Sequence, residues 1–525
     1  MQKQVNRFLS GALILTIAGV LSKILSAFYR IPLQNLTGDL GFYSYQQVYP
    51  ILALVMIVSL YGFPVAISRM VSKELQIQQG LSFTRFILPV FIGLSFFAFL
   101  ISLSLWFLAS YIAEAMSDPY LARPIRWSAS LFLFLPFLSL LRGLAQGSTY
   151  IEQVAYSQVT EQLFRVGVII ASAVIVAKGW LPVRSMAEAG VFASLLGMLA
   201  GILFLLIFFS RKKLVGKTMA VTTSSFSVGT YLRALFVFGF LASLNHLTLI
   251  FIQMVDALTL VPQLVKAGFS SLEAMEAKGV FDRGIPLIQF GAVLGSSFAL
   301  ALLPSLDQDR LKEDGETIRE ALFVSVYVAS AATVGLILLY EEVNILLFKD
   351  AQGTGVLQVL ALSIFLLSLA ITGNAVLQGY GAITWTLVAL FLSLLVKGFL
   401  NYFFIPIWAT YGSALATVGS LACLSLFTLY GLRRYLPLGI VKDFPFLRFL
   451  LTNSILFLYL IMVKYIVQAP IHSRGWLSVY VILLVLSGAL IYFLSLIRYR
   501  LVDERHLTAF PFANQLIKIS EKIRK

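Results

Sequence analysis

Residues 142–166 read RGLAQGSTYIEQVAYSQVTEQLFRV, and residues 374–400 read NAVLQGYGAITWTLVALFLSLLVKGFL. Gln146-Gly147 and Gln378-Gly379 are 232 residues apart, and so are Arg165 and Lys397, two cations embedded in the apolar runs that follow. The next segments also open alike, AGVFAS at 189–194 and YGSALAT at 411–417. Chance similarity between apolar stretches does not explain a shared spacing from Gln-Gly to a cation. The chain reads as two homologous halves, a construction found in many secondary transporters, whose site lies between the repeats.

Composition agrees with a membrane setting. Of 525 residues, 59% are hydrophobic and 12% charged, with a mean hydropathy of +0.91. Soluble domains carry about a quarter charged residues, and disordered chains have still less apolar content. Apolar stretches of membrane length fall near 9–30, 45–67, 86–112, 125–147, 158–178, 187–209, 231–256, 283–304, 319–340, 356–378, 383–405, 409–431, 447–467 and 476–497. The predicted fold is therefore an all-α polytopic membrane protein of fourteen transmembrane helices in a 6+6+2 order. Two pseudo-repeated six-helix lobes cover 1–217 and 218–434, a helix pair that can form a lipid-tail groove covers 435–497, and a basic tail covers 498–525.

The first span follows Lys3 and Arg7 as a signal peptide would. It is too long, contains Lys23 and lacks a small-residue cleavage site, so it reads as retained. About 24 of the 39 Lys and Arg fall on one side of the spans if the N-terminus is inside, which predicts that both termini are cytoplasmic. The same bias accounts for the net charge of +15 without nucleic acid. One cysteine, Cys423, excludes an internal disulfide, and His246, His472 and His506 are too scattered for a metal cluster. GKT at 216–218 is half a P-loop, with Arg211 where the first glycine belongs. No nucleophile elbow, zinc spacing or catalytic carboxylate pair stands in the chain, so the reading is a non-enzyme that needs no cofactor.

What remains is charge at bilayer depth, which costs about 2.5–3.5 kcal/mol and so usually faces a bundle interior or a watery cavity. Lys23 and Arg30 lie seven residues apart and share a helix face, an arrangement suited to an anion, although Arg30 can also snorkel. Asp256 sits late in the seventh span, while Asp282 and Arg283 open the eighth beside Gly284 and Pro286. Asp282 as a helix cap with an interfacial Arg283 is the plainer alternative. Gln253 and Gln289 extend a polar face inward. Glu161 and Arg165, four apart, are placed to neutralise each other.

The run SKILSAFYRIPL at 22–33, the segment GFPVAISRMVSKE at 62–74 and the stretch KGVFDRGIPLIQFG at 278–291, followed by LALLPSL, resemble the SpoVB/MurJ-type members of the MOP exporter superfamily. These are bacterial flippases of lipid-linked oligosaccharides. The resemblance covers essentially the whole chain. It implies that Lys23, Arg30 (with a one-residue shift) and Arg283 contact substrate, with Asp282, Gln253 and Gln289 nearby. An arginine that some members carry in the second helix has no counterpart in ILALVMIVSLYGF at 51–63.

The implied cargo is an undecaprenyl-diphosphate-linked cell-wall precursor such as lipid II, moved across the bacterial plasma membrane by alternating access. Membrane lipids and cell-wall synthesis proteins are the implied partners. Membrane potential, protons or sodium are the candidates for coupling. In several members a sodium site involves the eleventh helix; the matching positions are Lys397 and Asn401, with Asp256, Ser413 and Thr417 around them. An ammonium at Lys397 reads as a tethered substitute for the ion; a snorkelling or purely structural lysine is the alternative. A MATE-like exporter of small molecules and a membrane enzyme are the competing functions. The first suits acidic cavities and twelve helices. The second needs an unbalanced acidic loop, whereas 305–320 mixes Asp307, Asp309, Asp314 and Glu316 with Arg310, Lys312 and Arg319.

Overall fold

The structure is a computed structural model that describes residues 22, 25–78, 81, 83–212, 228–302, 315–435, 444–467 and 473–502. Among them every regular element is helical. Eleven helical stretches are long and apolar enough to cross a membrane. The chain divides into two compact units, Met1–Gly279 and Val280–Lys525.

In the first unit, α1 (Arg30–Ile57) and α2 (Phe63–Gln78) belong to one helical stretch, Leu25–Leu75. At 51 residues it is about twice the length of a span. Gly38 breaks it, with φ 69° and ψ −175°, a conformation that glycine adopts without penalty. The Tyr29 and Tyr45 rings meet edge to face at 6.0 Å, and Arg30 lies 4.2 Å above the Tyr49 ring. Residues before and after the break thus face each other: the chain doubles back at Gly38. The sequence predicts two spans here with a gap at 31–44. The gap is instead helical up to the turn, because its polar groups are used inside it. Gln34 donates to Asp39 at 3.1 Å, and the Thr37 hydroxyl donates to the Leu33 carbonyl at 2.8 Å.

A π-helical segment, Val58–Gly62, interrupts the second arm where it meets α7 (Val228–Lys266). A Cβ on Gly62 would come within 2.9 Å of the Gly239 carbonyl oxygen, so the two backbones touch. Close approach of small residues is how helices associate where lipid removes the hydrophobic drive. The wider turn frees the Ser59 carbonyl, to which Arg142 donates at 3.3 Å. Helices α3 (Leu88–Ala115), α4 (Ala122–Gly147), α5 (Ile151–Ala177) and α6 (Met186–Lys212) complete the unit's bundle.

After α7 comes an unpredicted short helix, α8 (Ser271–Asp282). Ser270 and Glu273 form a capping box: the Ser270 N–H and hydroxyl donate to the Glu273 carboxylate at 2.9 and 2.7 Å. Those bonds hold the Glu273 carboxyl below the usual range. Asp282 ends α8 rather than opening the following span, and Arg283 is the single residue before α9 (Gly284–Leu302).

The second unit contains α9, α10 (Gly315–Phe348), α11 (Thr354–Gly379), α12 (Ile383–Tyr435), α13 (Phe446–Ile466) and α14 (Arg474–Arg498). The 53 residues of α12 turn at Ala409, with φ 50° and ψ −128°. The Trp385 indole donates to the Phe427 carbonyl at 2.8 Å, and Gly412 lies against the Phe404 backbone. The element is therefore an antiparallel hairpin whose arms match the stretches 383–405 and 409–431. Helices α13 and α14 pack on each other and on α10 through Leu456, Leu460, Leu484, Tyr492 and Tyr327. Lys464 bonds Glu342 at 2.7 Å, and the Tyr492 hydroxyl donates to the Tyr327 carbonyl at 3.0 Å. A cavity of about 230 Å³ opens among α10, α11 and α12, lined by Ser330, Thr333, Leu362, Phe365, Leu366 and Val418.

Candidate functional site

Four arginines and one lysine are among the largest side chains to be fully or nearly fully buried: Arg30, Arg142, Arg165, Arg283 and Lys397. An arginine cannot shed its proton in a protein, so each needs local compensation.

Arg30 lies in a tyrosine cluster. Its guanidinium stacks on Tyr49, the Tyr29 and Tyr45 hydroxyls are hydrogen-bonded to each other, and the Tyr45 and Tyr49 rings are 5.9 Å apart. The hairpin turn at Gly38 brings these residues together, which is why sequence spacing alone did not pair Arg30 with them. Lys23, its predicted companion, lies outside the described residues.

Glu161 does not pair with Arg165, as the four-residue spacing predicts. It turns to the preceding helix and binds Arg142 at 2.6 Å, with both side chains buried. Arg142 also donates to the Ser157 hydroxyl, at 3.3 Å from Nη2. Across helices the carboxylate meets a guanidinium already anchored on Ser59, so the closer partner wins. Arg165 donates instead to the Gln162 side-chain oxygen and to the Met56 thioether.

Arg283 is read from sequence as an anion-binding cation, and here the structure supplies a residue that the sequence reading missed. Asp350, in the turn between α10 and α11, accepts from Arg283 Nη1 at 2.6 Å and Nη2 at 3.1 Å. This is a bidentate pair, so the Arg283 charge is compensated within its own unit. Partial burial pushes the Asp350 carboxyl up, but the bonds from Arg283 and the Gln352 N–H outweigh it and hold the group below the usual carboxylate range. The Phe348 ring lies 5.4 Å from the guanidinium carbon. Neighbouring Asp282 is buried and Gln289 half-buried.

Lys397 is fully buried in the α12 hairpin. Its ammonium donates to the Ser413 carbonyl at 3.0 Å, the Ser413 hydroxyl at 3.3 Å and the Thr417 hydroxyl at 2.6 Å. The structure thus gathers Lys397, Ser413 and Thr417 at one point, with Asn401 buried one turn further along the same arm. Asp256 and Gln253 are buried in α7 of the first unit. The Gln47 amide donates to the Ala257 carbonyl at 3.1 Å and ties α1 to that part of α7.

At the end of the first unit where α3 meets α4, Asp118 is buried under three donors. Tyr43 donates at 3.2 Å, the Tyr120 N–H at 3.2 Å, and Arg184 forms an ion pair. This clamp fastens turns and accounts for its own charges. Among the described residues no group of three or more His, Cys, Asp and Glu is placed to hold a metal ion.

Residues 8–308 match the family described as polysaccharide biosynthesis protein. The chain belongs to that family. Within it the chain is 34% identical to the uncharacterized membrane protein YabM of Bacillus subtilis (strain 168), over 98% of this chain and 96% of that one. It is 24% identical to the lipid II flippase MurJ of the same organism, over 81% and 82% of the two chains. It is also 24% identical to that organism's stage V sporulation protein B, over 97% and 99%. In fold, this family member superposes on a lipid II flippase MurJ in an inward closed conformation with a TM-score of 0.65 and 14% identity, covering 93% of this chain and 99% of that chain. An inward-facing multidrug resistance MATE transporter of the MOP superfamily aligns at 0.55 and 15% identity, over 83% and 99%. The chain is thus a multi-pass membrane protein of that family with the fold seen in the MurJ structure.

Proposed function

We propose that this protein is a flippase that moves an undecaprenyl-diphosphate-linked cell-wall precursor, with lipid II as cargo, from the inner to the outer leaflet by alternating access. The observation that carries the reading is the likeness of nearly the whole chain to proteins named as lipid II flippases, in a molecule whose spans bury arginines. A diphosphate headgroup needs such cations to offset its desolvation, while its prenyl tail can stay in lipid. Arg30 is the cation we assign to the headgroup. Arg283, held by Asp350, either exchanges that carboxylate for phosphate or serves as a structural anchor.

We take the membrane topology to be fourteen crossings in 6+6+2 order, with lobes 1–217 and 218–434 and both termini in the cytoplasm. Two of the eleven apolar stretches double back, and α9 adds a crossing of 19 residues, which supports that count. Direction comes from the membrane potential or an ion gradient, since the sequence holds no nucleotide motif. The three oxygens on the Lys397 ammonium support its assignment as a tethered cation in place of sodium. Transport then persists in sodium-free medium.

Depletion of the protein in its host tests the assignment: lipid II accumulates on the inner leaflet. Unchanged lipid II transport refutes lipid II as cargo. A spore-cortex or other polymer unit then becomes the reading, favoured by the likeness to stage V sporulation protein B over 97% of the chain.

A further inference from the structure

We propose that Arg165 is a second anion-binding cation, one that takes a phosphate group of the polyprenyl diphosphate. The proposal rests on the flippase reading above and adds a residue to it.

Arg165 is 2% exposed, in the middle of α5. Its Nε is buried and has no hydrogen-bond partner among the described residues. Its two terminal nitrogens donate to the Gln162 side-chain oxygen and the Met56 thioether. A thioether is a weak acceptor, and an amide oxygen carries no charge. The one carboxylate on the same helix within reach by spacing, Glu161, is bound to Arg142 at 2.6 Å. Among the described residues, one guanidinium of this pair is thus neutralised by an acid and the other is held by neutral groups. A charge left in that condition inside a membrane protein is costly, and such residues mark substrate paths.

The surroundings suit a phosphate. Arg165 reaches Met56 of α1, the helix whose Tyr49 ring carries the Arg30 guanidinium, so the two cations come to one helix from different directions. In the same helix Tyr45 is hydrogen-bonded through its hydroxyl to Tyr29, which adds phenol groups near Arg30. A planar fork matches phosphate oxygens two at a time, which an ammonium cannot do. Gly197 of α6 closes on the first carbon of the Arg165 stem: a Cβ there would lie 3.3 Å from it. The base of the side chain is clamped, while its end holds only bonds that a phosphate can replace. The position 232 residues later is also a buried cation, Lys397, which donates to Ser413 and Thr417.

The test uses the full chain in phosphatidylcholine nanodiscs, with farnesyl diphosphate as probe and farnesyl monophosphate and farnesol as controls. Wild type binds the diphosphate more tightly than farnesol. Arg165→Gln weakens diphosphate binding about tenfold or more, as expected for loss of charge-assisted hydrogen bonds, and leaves farnesol unchanged. Lys178→Gln, which removes an exposed cation just beyond the same helix, leaves both unchanged. If Arg165→Gln does not accumulate, Arg165→Lys keeps the charge and loses the fork, so the preference for diphosphate over monophosphate falls about threefold. Wild-type affinity in the Arg165 variants overturns the role of Arg165 and leaves the flippase reading intact. A wild-type protein that does not discriminate diphosphate from farnesol overturns both.

Discussion

Two segments that share the spacing from Gln-Gly to a buried cation handle charge differently. In the first, Arg142 and Glu161 form a buried ion pair at 2.6 Å and Arg165 sits four residues on. In the second, the positions 232 residues later are Asn374, Ser393 and Lys397. There the Asn374 side-chain oxygen accepts from Thr428 at 3.0 Å, Ser393 donates to the Leu390 carbonyl at 2.7 Å, and the ammonium rests on Ser413 and Thr417. Acid and base of the pair have been replaced together by neutral groups, whereas the third position is cationic in both copies. A buried ion pair can be exchanged for neutral residues with little loss if both members go, but not one at a time. Exchange of the whole pair for neutral groups is therefore expected to cost little, while a cation stands at the third position of both segments.

The sharpest way to break this comparison is to separate the pair. Glu161→Leu leaves Arg142 buried without its acid and should cost about 3–5 kcal/mol, read as a large fall in the melting temperature of the purified protein. Arg142→Asn combined with Glu161→Ser, which copies the second repeat into the first, should recover most of that loss. A double variant as unstable as the single one would show that the pair is not exchangeable. A smaller effect concerns the glycines that open the next matched segment. A Cβ on Gly412 would lie 2.2 Å from the Phe404 carbonyl oxygen, which is backbone, while one on Gly190 would lie 2.7 Å from the edge of the Tyr45 ring. Gly412→Ala should therefore destabilise by about 1–3 kcal/mol, and Gly190→Ala by less because a ring can tilt. Equal losses in thermal unfolding would mean that the Tyr45 ring yields no more easily than the Phe404 backbone.

The smallest effect lies at Arg283 and Asp350. The Asp350 pKa is lower in the folded protein, so its contribution is complete above the unfolded value of about 3.9 and disappears as pH falls through the folded value. Wild type should melt above Asp350→Asn at pH 7, and the difference should close below that range. A difference that persists in acid would point to backbone effects in the turn rather than to the ion pair.

Much of this fold was legible in the sequence, for a physical reason: a bilayer demands long apolar runs, and those runs located both arms of the α12 hairpin around Ala409. Features that depend on neighbours far along the chain were not. Residues 31–44 look like a loop until the hairpin gives Gln34 and Thr37 internal partners. Helix α8 is short and polar, and its one local signature, Ser270 with Glu273, was passed over because no apolar period accompanied it. Spacing on one helix suggested Glu161 for Arg165, but the partner came from another helix, and Asp350 lies 67 residues from Arg283. Lys397 donates to Ser413 and Thr417, residues that the family resemblance, not their spacing, put beside it.

The pair Glu342 and Lys464 has a consequence for how the molecule is made. The two residues are 122 positions apart, and at roughly 5–20 residues per second the ribosome needs on the order of ten seconds to supply the lysine after the glutamate. Arg142 and Glu161, only 19 residues apart, meet within about one to four seconds of synthesis. During the longer wait α10 carries an acid whose basic partner has not yet been made. The last two helices therefore act on the biogenesis of the unit as a late lock, and a chain truncated before Lys464 should be selected for degradation at the membrane rather than released as a smaller transporter.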